Sequence, residues 1–544
     1  MTKLGGRLAL VLAAGLGIAC VADAMAKPTP PPQPPSRAAI PPTTADHSRF
    51  DILKKPFATG TDVTKACLSC HNDANRQLHA TTHWTWSFFN EKTGQSLGKK
   101  NVVNNLLMSV PTNQAYCTRC HISFGWVDDA FDFSNAEEID CLACHETTGT
   151  YSFKKMHLRR AQCTTCHVTY DKTRVREAVE RPDFSKLALS VGKTSRASCG
   201  SCHFNSDGGD GVKHGDLDMS LIDPPRGVDI HMSKDGLKFA CGTCHETDRH
   251  QVPGSRYAPV SKDVRGMDVV GGSRATCESC HGLRPHPAGA NAKLNDHVDR
   301  VACQTCHIPA FARGGRPTKT YWDWSTAGRK DDRGKEMIEK DAQGRIVYST
   351  KEGSAQWAEN IVPDYVWFNG RTEYKTLAAT VDPAGTTRLN VLDGSADDPQ
   401  ARIWPVKTMR GKQPYDAGNK VLASVHLFGG DKDAYWNSFD WNRAISVAMA
   451  ATGQAFSGEV GFIETEMLIP INHMVAPADD AVACDSCHAN NSRLAGVAEI
   501  YIPGRDANPL LDIAGILMVL AALVGVLGHG VLRLLIGSRN GSKR

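Results

Sequence analysis

One pentapeptide, C-x-x-C-H, occurs nine times in this 544-residue chain and uses every cysteine except Cys20. Paired thiols at this spacing can bind zinc or form a disulfide, but neither role requires a histidine directly after each pair. Covalent attachment of c-type haem uses all three residues, because the thiols bond to the porphyrin and the adjacent imidazole binds the iron. The repeated motif therefore predicts nine covalently attached haem c groups.

The predicted residues follow directly from the motif positions. The haem-attaching cysteines are Cys67, Cys70, Cys117, Cys120, Cys141, Cys144, Cys163, Cys166, Cys199, Cys202, Cys241, Cys244, Cys277, Cys280, Cys303, Cys306, Cys484 and Cys487. The proximal iron ligands are His71, His121, His145, His167, His203, His245, His281, His307 and His488.

The second axial ligands must come from outside the motifs. Eleven histidines are candidates: His47, His79, His83, His157, His214, His231, His250, His286, His297, His426 and His473. This number allows bis-histidine ligation of every iron, which is typical of a pure electron-transfer protein. Chemistry on a substrate needs one iron with an open or displaceable sixth position, and counting histidines does not identify it.

The N-terminus has the features of a secretory signal. Lys3 and Arg7 precede an apolar run, and an A-x-A site predicts cleavage after Ala26, which removes Cys20. The sequence GIAC at 17–20 leaves a lipoprotein site as an alternative. Residues 27–49 then form a proline-rich linker.

The C-terminus contains a predicted membrane anchor at residues 510–536, longer than the ~20 residues that span a bilayer. Basic residues in the tail, residues 537–544, place that end in the cytoplasm, so the haem region would face the periplasm. His529 and Arg533 lie within the anchor. His529 either packs against a neighbour or binds a b-type haem with a partner subunit.

The motifs divide the mature chain unevenly. Residues 50–308 hold eight motifs, residues 309–480 hold none and are rich in aromatic residues, and residues 481–509 hold the ninth motif and a linker. The first segment has few aliphatic residues for its length. We therefore expect it to form short helices and loops packed on eight porphyrins, and the protein to be unfolded without haem. Residues 309–480 are expected to be helical and irregular, with tryptophans either covering haem faces or roofing a substrate pocket. The predicted fold class is thus mainly α with much irregular structure and one transmembrane helix.

The formal charge of +4 does not indicate nucleic-acid binding. The propionates of nine haems would make the mature protein acidic, at about −6, so the basic composition is misleading.

Text between the motifs resembles a known family. The segments ADHSRFD (45–51), ACLSCHNDANRQLHATTHWTW (66–86), GKKNVVNN (98–105), SVGKTSR (190–196) and HMVAPADDAVACDSCH (473–488) are similar to the octahaem tetrathionate reductase family of periplasmic cytochromes. This family is related to hydroxylamine oxidoreductase and the multihaem nitrite reductases. The resemblance covers most of residues 45–490 and implies reduction of tetrathionate, nitrite or hydroxylamine at one haem whose distal ligand is a lysine.

Carried onto this chain, the resemblance makes Lys213 and Lys193 the first candidates for that lysine, followed by Lys154 and Lys155. An amine ligand is displaceable and can donate a proton once released. The family has eight haems, so one motif is extra, and the Cys163 motif is the candidate. Some members also place a cysteine near the active haem; this mature chain has no free cysteine, which weakens the case for tetrathionate.

The sequence thus predicts a membrane-tethered periplasmic oxidoreductase acting on a small anionic or amine substrate. The expected electron donor is a membrane protein, such as a quinol-linked cytochrome b subunit. The alternative is a non-catalytic cytochrome that carries electrons from such a donor to another periplasmic enzyme. Oxidation of reduced sulfur or nitrogen compounds is a further alternative, because sequence does not fix the direction of electron flow.

Overall fold

The structure is a computed structural model that describes residues 45–103, 110–151, 182–205, 209–267, 275–289, 292–377, 379–506 and 508–540. The signal region, residues 1–26, most of the linker and the last four residues of the tail lie outside this description.

Short α-helices and single turns occupy the part of the chain that carries most motifs. The described α-helices are α1 Gly60–Leu68, α2 Ala74–His79, α3 Thr82–Thr85, α4 Gln114–Cys117, α5 Leu142–His145, α6 Phe184–Leu189, α7 Arg196–His203, α8 Cys241–Cys244, α9 Glu278–His281, α10 Cys303–His307, α11 Tyr435–Ser438, α12 Trp441–Ala451 and α13 Pro509–Asn540. Described 3-10 turns lie at His47–Arg49, Asp51–Leu53, Thr118–Cys120, Ala136–Glu138, Met219–Ile222, Ala292–Asp296, Trp324–Thr326, Ala478–Asp480 and Cys484–Ser486.

Two of the motif helices begin at strong caps. Thr59 caps α1 and forms a capping box with Asp62, and Ser195 caps α7 in the same way with Ser198. Such caps satisfy backbone N–H groups that a helix start leaves without partners, which fixes where each helix begins. They place the cysteines near the C-terminal ends of α1 and α7 in a defined register.

The main β-sheet follows the eighth motif, and one separate pair of strands, β1 Phe88–Asn90 and β2 Gln95–Leu97, precedes it. The remaining strands are β3 Thr318–Asp323, β4 Ile338–Lys340, β5 Ile346–Ser349, β6 Gly353–Ala358, β7 Asp364–Phe368, β8 Thr372–Tyr374, β9 Thr387–Arg388, β10 Asn390–Leu392, β11 Arg402–Asp416, β12 Val421–Leu422 and β13 Val460–Pro470. The main path is β4-β5-β6-β3-β11-β13-β9, and β7 and β12 also pair with β11. β1-β2 and β8-β10 are separate antiparallel pairs.

This sheet corrects the expected fold class. Residues 309–480 were predicted to be helical and irregular, and the chain mainly α, yet most regular structure in that segment is β. β11 is the centre of the sheet: it runs antiparallel to β13 from Val406↔Pro470 to Asp416↔Val460 and parallel to β3. The fold therefore joins a helical, motif-rich part to a β-rich part.

The β-rich part has a conventional hydrophobic core. Trp322 and Trp324 are almost fully buried and stack with ring centroids 4.9 Å apart. They pack in one cluster with Met409 and Met467 of the sheet and Ile445 of α12. At least these two tryptophans therefore stabilise the sheet itself, each removing a large apolar surface from water.

The last helix stands apart from the core. An 18-residue window within its apolar stretch Pro509–Ile536 has a mean hydropathy of 2.6, and none of that window is buried in the protein. At 1.5 Å per residue its 28 residues exceed the ~30 Å of a bilayer's hydrocarbon layer. The helix is therefore long and apolar enough to cross a membrane.

Candidate functional site

Histidines from the motifs face histidines from elsewhere in the chain. Six such couples lie with ring centroids 6.0–6.4 Å apart. They are His47–His71 (6.3 Å), His83–His203 (6.2 Å), His231–His281 (6.0 Å), His245–His473 (6.3 Å), His286–His307 (6.4 Å) and His297–His488 (6.1 Å).

These separations fit an iron held between two imidazoles. On each side of the metal, a metal–nitrogen bond of about 2.0 Å and a further distance of about 1.1 Å from nitrogen to ring centre add up. The two sides together place the ring centres about 6.2 Å apart. His473 also keeps 32% of its side-chain surface accessible although protein surrounds it, as expected for a ring that lines an interior space. The residues therefore fit six irons with two histidine ligands each.

Hydrogen bonds to the protein fix several of these rings. Nδ1 of His245 lies 2.8 Å from the carbonyl oxygen of Pro253, and Nδ1 of His488 lies 2.9 Å from that of Pro503. Nδ1 of His473 faces a carboxylate oxygen of Asp216 at 3.2 Å. Such contacts orient a ligating imidazole and leave Nε2 for the metal.

The electrostatics keep the ring of His203 neutral. Burial, with a smaller effect of the neighbouring His83 and Lys99, lowers the pKa of His203 to about 4. Burial also lowers the pKa of His83. A neutral imidazole offers its lone pair to a metal, so both rings are in the form that binds iron.

Five of the couples cross between motifs, and we call them the crossed pairs. In each, the histidine from outside the motif lies in sequence beside a different motif. The crossed pairs are His83, after the Cys67 motif, with His203; His231, before the Cys241 motif, with His281; His286, after the Cys277 motif, with His307; His297, before the Cys303 motif, with His488; and His473, before the Cys484 motif, with His245. The motifs are thereby interlocked.

Thiols of neighbouring motifs also meet. The side chains of Cys67 and Cys141, of Cys199 and Cys241, and of Cys277 and Cys303 lie close enough for each free thiol to shift the pKa of its neighbour. The backbone N–H of Val482 donates to the carbonyl of Cys306 at 2.9 Å, which ties the Cys303 motif to the Cys484 motif. The bound groups would therefore lie close enough to one another to pass electrons.

Four predicted distal histidines in the described residues are not in these couples. His426 has both ring nitrogens engaged, with the Thr112 carbonyl at 2.8 Å and the Asp431 carboxylate at 3.0 Å. His79 stacks on Trp84 at 4.6 Å, and its Nε2 is buried without a hydrogen-bond partner. Nδ1 of His250 lies 2.8 Å from the side-chain oxygen of Gln77. His214 is enclosed beside Lys213 and near His203.

The Cys117 and Cys141 motifs lie side by side. A β-bridge joins Ser123 to Ile139, and the N–H of Asp140 donates to the carbonyl of Ile122 at 3.0 Å. Nδ1 of His145 lies 2.9 Å from the Gly192 carbonyl oxygen. This places the two proximal histidines, His121 and His145, in one region.

Aromatic side chains surround His121. Trp84, Trp86, Trp126, Phe131 and Phe133 have ring centroids 4.9–5.8 Å from the His121 ring.

Two lysines face these aromatic rings. Nζ of Lys100 lies 3.6 Å from the ring centre of Phe133, and Nζ of Lys99 lies 4.9 Å from that of Trp86. Burial lowers the pKa of Lys100. Sequence reasoning did not single out Lys99 and Lys100, although both lie within the GKKNVVNN segment.

The candidate distal lysines are placed as follows. Lys213 is buried, and its carbonyl accepts a hydrogen bond from Nζ of Lys407 at 2.7 Å. Lys193 is exposed and follows Gly192, on the Nδ1 side of the His145 ring. Lys154, Lys155, His157 and the whole motif of Cys163, Cys166 and His167 lie outside the described residues. A lysine ligand remains a prediction.

Comparisons with known proteins agree with this geometry. The family model named cytochrome c bacterial matches residues 319–491. An uncharacterised protein of Archaeoglobus fulgidus is 24% identical over 264 residues, covering 41% of this chain and 86% of that protein. The crystal structure of an octahaem cytochrome c from Shewanella oneidensis superposes with a TM-score of 0.71 at 36% identity, covering 82% of this chain and 95% of the other. This chain belongs to the multihaem c-type cytochromes.

Haem c is therefore the cofactor of this cytochrome, and electron transfer is its basic activity. When bound, each haem supplies an iron that exchanges one electron, and an iron with an open position can bind a small ligand. What sequence reasoning missed is the support around the ligands. Asp216, which orients His473, and Asn295, whose side-chain oxygen lies 3.2 Å from Nδ1 of His286, belong to no motif.

Proposed function

We propose that this cytochrome is a membrane-tethered periplasmic reductase that carries nine haems and reduces a small nitrogen or sulfur compound. Nitrite, hydroxylamine and tetrathionate are the candidate substrates, from the resemblance to the octahaem tetrathionate reductases. The cleaved signal, the C-terminal anchor and a quinol-linked membrane donor complete the proposal.

The observation that carries the proposal is the division of the motifs into two groups. Six motifs have a histidine facing the proximal histidine at a distance that fits iron. Among the described motifs, those of Cys117 and Cys141 have no such couple, and the Cys163 motif lies outside the described residues, so we assign the iron with a displaceable ligand to one of these three. In this structure Nε2 of His121 lies 2.6 Å from the Trp84 carbonyl oxygen and Nδ1 lies 2.7 Å from the Ser123 hydroxyl, so His121 must turn before it can bind iron. The Cys117 and Cys141 motifs adjoin each other, so the two described candidates lie at one place in the molecule.

Side chains at this place suit reduction of an anion. Lys99 and Lys100 lie against the aromatic rings around His121, so they would attract an anionic substrate and stabilise negative charge that develops on it. The lowered pKa of Lys100 eases transfer of its proton to a reduced product. The hydroxyl of Tyr151 donates to the Asp140 carboxylate at 2.6 Å, a second group that can move protons.

Nitrogen compounds are favoured over tetrathionate. Every described cysteine belongs to a C-x-x-C-H motif, and so do Cys163 and Cys166 in the remaining mature sequence. Cleavage of a sulfur–sulfur bond by a free thiol of the chain therefore has no candidate residue, whereas reduction of nitrite or hydroxylamine needs none.

A non-catalytic electron carrier is the second candidate. The six histidine couples favour it, because an iron with two histidine ligands exchanges electrons without binding substrate. His79, His157, His214 and His250 are also numerous enough to ligate the three remaining irons.

Low-temperature EPR with near-infrared magnetic circular dichroism on the oxidised holoprotein separates the two functions. We expect one haem with histidine–lysine or high-spin character, whose signal changes on adding nitrite or hydroxylamine. Lys100→Met should lower turnover of that substrate while leaving the haem content unchanged, and Lys92→Met, at an exposed lysine, is the matched control. Nine bis-histidine signals indifferent to all three substrates would make the protein an electron carrier.

A further inference from the structure

Residues 489–506, which follow the last motif and precede the membrane helix, are folded against the rest of the protein. The carbonyl oxygen of Pro503 lies 2.9 Å from Nδ1 of His488. The apolar helix α13 begins six positions after Pro503, at Pro509. Six residues span at most about 20 Å even when fully extended. The proximal ligand of the Cys484 motif is therefore held within that contour length of the start of the apolar helix.

A largely enclosed arginine, Arg505, holds this segment together, and we call it the Arg505 clamp. Its guanidinium donates to the carbonyls of Leu494 (2.9 Å), Val497 (2.6 Å) and Ile500 (2.7 Å), and pairs with the carboxylate of Asp506 at 2.6 Å. The arginine side chain is only 11% exposed. Because three carbonyls share one fixed planar group, the segment cannot extend without losing all of these bonds together.

The backbone packs equally closely at this point. A Cβ on Gly504 would lie 2.2 Å from the carbonyl oxygen of His488, and Gly504 has a φ of +85°, which favours glycine.

The clamped segment is also fixed to the sheet. Leu494, Val497 and Ile502 are buried against Tyr365 and Trp367 of β7. The indole N–H of Trp367 donates to the Ala498 carbonyl at 3.1 Å. The segment up to Asp506 is therefore packed against the sheet.

The Cys484 motif is open to the outside. Cys484 and His488 are both exposed, and Tyr501 in the clamped segment keeps 65% of its surface accessible. An exposed tyrosine eight residues before an apolar helix suits the headgroup region of a bilayer. The crossed pair His297–His488 then connects this motif inward to the Cys303 motif.

We infer that the haem on Cys484 and Cys487 receives electrons from a quinol-oxidising protein embedded in the membrane, and that the Arg505 clamp positions it for that exchange. One electron leaves the donor, which is oxidised by one electron, and one ferric iron becomes ferrous. The inference that this haem is the entry point for electrons rests on the proposed membrane tether and not on the proposed substrate. Arg505 is a positioning residue, because it acts on the proximal histidine through Pro503.

Full-length holoprotein in phosphatidylcholine vesicles provides the test. A viologen carrying a long alkyl chain serves as a donor confined to the membrane, methyl viologen serves as the water-soluble donor, and the rate of haem reduction is read from the absorbance. Inserting about twelve Gly/Ser residues after Asp506 releases the domain from the bilayer. We expect this insertion to slow reduction by the membrane donor about tenfold and to leave the rate with methyl viologen unchanged.

Two further variants locate the exchange at this motif. Cys484→Ser combined with Cys487→Ser should remove one haem by pyridine haemochrome count and abolish fast reduction by the membrane donor only. Arg505→Gln should slow that reaction with the haem count intact, whereas Arg443→Gln, at an exposed arginine paired with Asp433, should not. If the insertion and Arg505→Gln both leave the membrane-donor rate unchanged, the inference is wrong. The readout contains no substrate, so this result would leave the proposed reductase untouched.

Discussion

Each of the six facing histidine couples combines one histidine that the motif fixes with one of the eleven candidates, whose partner the sequence does not reveal. The proximal member stands next to its cysteines, so its position follows from the motif. The distal member depends on where the chain returns. His231 lies ten residues before Cys241 yet faces His281 of the next motif. Eleven candidates could be named from composition, but their pairing is a property of the tertiary fold.

The His231–His281 couple can be tested by changing the distal ligand. His231→Met replaces an imidazole with a thioether, which should raise the midpoint potential of one haem by roughly 100 mV. A spectroelectrochemical titration measures this shift. His426→Ala is the matched control, because both ring nitrogens of His426 already contact protein oxygens. An unchanged titration of the His231 variant would contradict the assignment.

Lys319 of β3 provides a pH-dependent test. Burial lowers its pKa from 10.5 to about 8, while Glu352 partly offsets the effect. Between pH 8 and 10.5 the unfolded chain keeps this proton and the native protein does not, so the native state gains stability as pH rises through that window, by up to about 3 kcal/mol.

Lys319→Met should lack this gain. The difference in melting temperature between wild type and Lys319→Met should therefore shift in favour of wild type from pH 8 to 10.5. The exposed Lys340→Met serves as the control. A constant difference across the window would contradict the buried, deprotonating lysine.

At the scale of elements, the sequence predicted the helical, motif-rich part better than the sheet. β11 reads RIWPVKTMRGKQPYD, and its two prolines and one glycine argue against a central strand. Its burial does not alternate either, because residues 402–407 are all buried. Partners distant in sequence, β13 above all, stabilise this strand, and local pattern does not reveal them.

One ion pair joins this sheet to a haem motif. Arg402, in β11, meets Glu278, the second residue of the Cys277 motif, at 2.5 Å, with side chains only 3% and 6% exposed. Arg402→Met would leave a buried carboxylate without its partner and should destabilise the protein by about 3–5 kcal/mol.

Combining Arg402→Met with Glu278→Leu should recover much of that loss, since the buried charge is gone. Thermal unfolding of the two holoproteins measures the comparison. Equal melting temperatures for the single and double variants would show that the pair is not the source of the stability.

At the scale of the whole molecule, two kinds of core meet. The β-rich part buries tryptophans, methionines and α12 in one cluster, whereas the motif-rich part has smaller clusters such as that of Leu53, Val63 and Leu142. The haems should supply the remaining apolar volume there. The expectation that the haem-free chain is unfolded therefore applies to the motif-rich part rather than to residues 318–470.

Haem-free protein should accordingly keep part of its structure. A variant with every motif cysteine changed to alanine should resist limited proteolysis within residues 318–470 and be cut readily within residues 50–308. Circular dichroism should retain a β contribution and lose most helical signal outside α13. Uniform digestion of both regions would mean that the sheet also depends on haem.

The crossed pairs have a consequence for how the protein is made. A chain is synthesised from its N-terminus, so the cysteines at 241 and 244 exist long before His473, which faces the histidine of their motif. Haem can thus be attached to these two cysteines before His473 has been synthesised. A nonsense mutation just before His473 would remove the last haem site and also leave an iron in the middle of the protein five-coordinate and reactive. Quality control during maturation would then have to recognise the missing ligand at the Cys241 motif, although the sequence of that motif is intact.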